Sequence, residues 1–98
     1  MTEPKPDPKV QELRREISAL DRSILDAVNS RLELVATLRT HKETVGLPFV
    51  DPNRERQLLD ALAEANSGPL SDDGVRELFT QLLDLTKREL ADGDGPSR

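Results

Sequence analysis

The sequence predicts an all-α protein of three helices, one long and two shorter, and three observations carry that expectation. Apolar residues recur at spacings of three and four rather than two, the period of a helix face and not of a strand. Aromatics make up 2% of the chain, with no Trp or Tyr and five glycines, which leaves a core of Leu, Val, Ile and Ala. Proline and glycine fall at a few places between periodic segments, where they punctuate helices.

Residues 1–7 are polar and proline-rich and read as a disordered lead-in; residues 92–98 read as a disordered tail, and residues 8–91 as one helical domain. The first helix is expected from Pro8 to Val45. Val10, Leu13, Ile17, Leu20, Ile24, Ala27, Leu34 and Leu38 alternate spacings of three and four, with one interruption. Neither Pro nor Gly occurs between Lys9 and Val45, and Gly46 followed by Pro48 is a natural stop. A second helix starts at Asp51-Pro52, where the carboxylate accepts from free N–H groups and proline suits the first helical position. It continues through Leu58, Leu59 and Leu62 to about Asn66. The stretch NSGPLSDD is the turn. Ser71 caps the third helix, with Asp72 and Asp73 in its first turn. Val75, Leu78, Phe79, Leu82, Leu83 and Leu85 give it an apolar face to an end near Ala91.

The long helix poses a geometric problem. At about 1.5 Å per residue it runs roughly 55 Å, whereas a compact globule of this chain length is about 30–35 Å across. Its apolar stripe continues along the overhang and needs a cover. A second copy of the chain, paired lengthwise, is the economical one.

Charge excludes other roles. Fourteen Lys and Arg against 19 Asp and Glu give a net charge of −5, which argues against a nucleic-acid binder. The absence of cysteine removes disulfides, thiolate metal sites and a thiol nucleophile. No apolar run approaches the ~18 residues of a membrane span, and the start is unlike a signal peptide. A cytoplasmic protein that binds neither nucleic acid nor membrane is expected.

Within this acidic chain a few arginines and lysines stand where they are unfavourable alone. In VDPNRERQLL, Arg54 and Arg56 follow at once on a helix start, where the dipole disfavours cations; such a start is suited to holding an anion that arrives later. Positions 10, 17, 24, 31 and 38 share one heptad place, filled by Val, Ile, Ile, Arg and Leu. Arg31 there is costly unless an anion meets it. Lys42 lies eleven residues on, within about 20° and roughly 16 Å along the axis, with Val35 and Leu38 between. The pair could frame a trough for a small dianion. Alternatively Arg31 pairs with a carboxylate of another helix and Lys42 faces solvent. Arg14 lies about 25 Å from Arg31 along the helix. It reaches that trough only from an antiparallel second copy, or else is an exposed arginine beside Arg15. His41 faces about 100° away from Lys42 and reads as a solvent or structural residue.

Taken together, LRREISALD with Arg14, Arg31, LRTHK ending in Lys42, and VDPNRERQLL resemble the all-α, type II chorismate mutases over about residues 10–90. The resemblance implies an intertwined homodimeric helical bundle in which each active site borrows one arginine from the other subunit. It also implies the rearrangement of chorismate to prephenate in aromatic amino acid biosynthesis. That pericyclic shift needs no cofactor, metal, nucleophile or proton transfer, only a dianion held compactly and positive charge at the breaking ether oxygen. Carried over, Arg14 of the second copy and Arg31 bind the carboxylates, and Lys42 meets the ether oxygen and a carboxylate. Asp51 and Glu55 recognise the substrate hydroxyl, Arg54 completes the anionic pocket, and Thr86 lies by the ring carboxylate. Lys42, Arg31 and Glu55 are the expected catalytic residues. Arg56, about 200° round the helix from Arg54, is left on the surface.

One position departs from the family. Leu90 stands where a Gln or Glu usually joins the lysine at the ether oxygen, so either Glu89 or Arg88 serves through a shifted helix, or that donor is missing. Loss of one such donor can lower the rate about 10²–10³-fold. Other readings therefore stay open: a mutase or lyase for aminodeoxychorismate or isochorismate, or a weakly active or non-catalytic helical dimer that docks to another aromatic-pathway enzyme. A generic coiled-coil module is the remaining one. Asp51 and Glu55 favour a hydroxyl over an amino substrate.

Overall fold

A computed structural model of the chain describes residues 7–91; residues 1–6 and 92–98, which hold nearly all of the expected lead-in and tail, lie outside them. The described residues form three helices and no strand: α1 (Pro8–Val45), α2 (Pro52–Ala65) and α3 (Asp72–Ala91). Each boundary has a local cause. Asp7, grouped with the lead-in by its composition, caps α1: its carboxylate accepts from the N–H groups of Lys9 at 2.7 Å and Val10 at 3.1 Å. At the other end Gly46 takes φ 77°, and the N–H groups of Leu47 and Gly46 return to the carbonyls of Lys42 and Glu43. That is a Schellman stop, and glycine adopts its left-handed residue without strain. Asp51 Oδ1 accepts from Arg54 N at 3.1 Å to start α2, with Pro52 at its first position. Ser71 Oγ does the same for Gly74 N at 2.9 Å to start α3.

The chain divides after Thr37. Residues 7–37 are a single amphipathic stretch of α1. Nothing in α1 is buried, and the expected row Val10, Leu13, Ile17, Leu20, Ile24 and Leu34 lies open, Leu34 to 71%.

Residues 38–91 hold the last two turns of α1, the connection to α2, and a hairpin of α2 and α3. Ion pairs join Glu55 to Lys87 and Asp60 to Arg76, so numbering rises on one helix as it falls on the other and the two run antiparallel. Ala63, Val75, Thr86 and Leu90 are the buried residues, flanked by half-buried Leu58, Leu59, Leu62, Leu82 and Leu83. The core is small, and it belongs to this hairpin. Among the described residues, no helix is long and apolar enough to cross a membrane.

Candidate active site

The expected site residues fall in both parts of the chain. In residues 7–37, Arg14 is exposed and shares an open hollow of about 410 Å³ with Arg15, Ser18 and Arg22. All four come from one helix, so the hollow encloses nothing by itself. Arg31 is half-buried on α1, as is Val35, while Leu38, the other residue of the expected apolar floor, is exposed.

Residues 38–91 bring more of the set together. Lys42 is half-buried, and its Nζ donates to Phe49 O at 3.2 Å, which ties the end of α1 to the connection before α2. Two residues on, Asp51 caps α2, so its carboxylate and the first turn of that helix are fixed together. Arg54 gives its backbone N–H to that cap; its side chain is exposed, and among the described residues its guanidinium makes no hydrogen bond or ion pair. A cation so placed beside the positive end of a helix is open to an incoming anion. Glu55, one position later, is half-buried and engaged from α3: Lys87 Nζ lies 3.1 Å from Oε1 and 3.0 Å from Oε2. Arg56 is exposed and bonds Asn53 of its own helix, and His41 is exposed, as expected for both.

On α3, Thr86 is buried, and its hydroxyl donates back to Leu82 O at 2.7 Å. The hydroxyl proton is thus given to the backbone of its own helix. Leu90 is buried, whereas Arg88 and Glu89 are exposed. The helix is therefore not shifted to bring either charged neighbour inward; the inward side chain at this position is apolar.

Two residues escaped the sequence reading. Arg39 donates to Leu90 O, and its guanidinium sits 5.6 Å from the centroid of the Phe49 ring. A cation on the last carbonyls of α3 suits the negative end of that helix, and the ring face adds a cation–π contact. Its signal was its place four residues after Val35 and three before Lys42, on one face of α1. Lys87 is the other. It interrupts an apolar row of α3, four residues after Leu83 and three before Leu90. Glu55 likewise precedes Leu58 and Leu59 on the apolar face of α2. Two opposite charges in facing apolar stripes are a legible pair once both helices are placed.

Residues 13–90 match the family described as chorismate mutase type II. The T-protein of Haemophilus influenzae is 33% identical over 75 residues, 76% of this chain and 20% of its own length. The 4-amino-4-deoxychorismate mutase of Streptomyces venezuelae is 32% identical over 83 residues, 84% of this chain and 77% of that protein. This chain thus spans a fifth of the first relative and most of the second. Among solved structures, chorismate mutase (form II) from Thermus thermophilus superposes with a TM-score of 0.79 at 32% identity, covering 82% of this chain and 91% of that one.

Proposed function

The chain belongs to the chorismate mutase type II family, and on that premise we propose how it acts as a chorismate mutase: as a cytoplasmic homodimer whose cations hold chorismate in the compact conformer that rearranges to prephenate. The observation that carries this reading is the extent of the family match. It spans residues 13–90, and every site residue from Arg14 to Thr86 lies inside it.

The reaction breaks a carbon–oxygen bond and forms a carbon–carbon bond within one molecule, so the protein's task is positioning and electrostatics. Arg31, and Arg14 from the second copy, take the two carboxylates. Lys42 stands at the ether oxygen, where electron density grows as the bond breaks; its link to Phe49 O holds the ammonium in place beforehand. Arg54, with a guanidinium engaged by nothing among the described residues, supplies further positive potential at the start of α2. Asp51 and Glu55 orient the ring through its hydroxyl, and Thr86 lies beside the ring carboxylate.

Support for the homodimer is the uncovered row on α1. A helix with no buried residue and a row of exposed leucines and isoleucines is unfinished as a monomer, and a second α1 laid against it completes it.

The test is loss of chorismate absorbance by wild type and Lys42→Ala side by side, with sedimentation to measure mass. Turnover by wild-type dimer and a loss of about 10³-fold in the variant are expected. A wild-type protein that consumes no chorismate, and whose melting temperature a prephenate-like inhibitor does not raise, ends the reading.

A further inference from the structure

Sequence identity does not choose the substituent on the substrate ring: the Thermus thermophilus chorismate mutase and the Streptomyces 4-amino-4-deoxychorismate mutase are each 32% identical to this chain. The second name specifies an amino group in place of the hydroxyl. Resting on the role given to Glu55 above, we propose that Lys87 is a specificity-determining residue, whose ion pair with Glu55 makes the site select a ring hydroxyl over a ring ammonium.

The argument starts from the geometry. Both Glu55 oxygens face Lys87 Nζ, at 3.1 and 3.0 Å. The two side chains are 27% and 36% exposed, so water screens the pair only in part. A carboxylate offers about four lone-pair positions, and one ammonium leaves some of them open. Glu55 can therefore still accept a hydrogen bond from a neutral hydroxyl. It has no surplus negative charge with which to attract an ammonium, because Lys87 already balances it. A substrate ammonium on Glu55 would also come to lie near the Lys87 ammonium, and like charges at such separations repel.

The neighbouring charges leave that balance standing. Asp51 is the other acid in the first turn of α2, and its Oδ1 is engaged by Arg54 N. Arg54 itself adds a positive charge one position before Glu55. Together Asp51, Arg54, Glu55 and Lys87 sum to zero, where the first three alone sum to −1. Lys87 cancels the surplus negative charge of this group.

Lys87 could instead be only a clamp between α2 and α3, and the experiment separates the two roles. Using the full chain, kcat/KM is measured for chorismate and for 4-amino-4-deoxychorismate with wild type, Lys87→Met and Lys87→Arg, together with melting temperatures. Wild type is expected to favour chorismate. Lys87→Met should shift the ratio toward the amino substrate by about tenfold, and Lys87→Arg should restore it. A clamp would lower the melting temperature, or both kcat/KM values together, and leave their ratio where it was; that result overturns the proposal. So does a wild type that favours the amino substrate while turning over both. Turnover of neither substrate, with no thermal shift by chorismate, overturns the functional reading itself and the role of Lys87 with it.

Discussion

From Val10 to Leu34 the apolar row of α1 lies in water, whereas residues 38–91 bury Ala63, Val75, Thr86 and Leu90 and knit their connection with side-chain bonds from Lys42, Asp51 and Ser71. The first region has its own i→i−4 ladder, the Asp7 cap and exposed side-chain bonds such as the Lys9–Glu12 ion pair. A helix in water draws little stability from that ladder, and most helical stability in proteins comes from packing an apolar face. The second region has a small core of its own. The difference teaches that the two regions are built differently: residues 38–91 hold their side chains through contacts of their own, and residues 7–37 leave an apolar row uncovered.

The largest expected effect tests whether chemistry is confined to the second region. Lys42→Ala should lower turnover about 10³-fold with helical circular dichroism retained, and Arg31→Ala in the first region should be comparably severe. An active Arg31→Ala protein would reduce the first region to a dimerisation element. Next in size is Ile24→Asp, which places a charge in the open row. It should convert dimer to monomer in sedimentation, with about 2–3 kcal/mol of association lost for each copy. A dimer of unchanged strength would show that the row meets something other than a second copy. Leu90→Gln comes third. An amide in place of a buried leucine should destabilise the hairpin by about 1–2 kcal/mol in urea melts, and kcat should rise as a donor joins Lys42. A rate that does not rise would mean that another side chain already meets the ether oxygen. The smallest is Gly46→Ala at φ 77°, which should cost about 1 kcal/mol by fraying the last turn of α1 and leave the dimer intact.

All three helices were legible in sequence because their limits are set by neighbours along the chain. Gly46, Asp51, Pro52 and Ser71 act within four residues of the atoms they satisfy. The Arg54 cation at a helix start was legible for the same reason. Leu90 was recognised as a departure, but its inward direction was not, since two readings of the register fitted the letters equally well. Arg39 went unnoticed because its partners, Leu90 O and the Phe49 ring, are distant or nearby only through a turn. The bond from the Thr86 hydroxyl to Leu82 O is a choice among rotamers that letters do not record.

By itself, then, the order of residues determined the helix count, the helix ends, the interrupted apolar stripe and the family. Period, capping and charge spacing are properties of short separations along the chain. Only the tertiary structure decided which charges meet: Lys87 is 32 positions from Glu55, and Arg39 is 51 from Leu90. Such pairs depend on the rotation of one helix against another, and that rotation is set by packing in three dimensions, where a sequence of similar apolar faces permits several answers and the fold takes one.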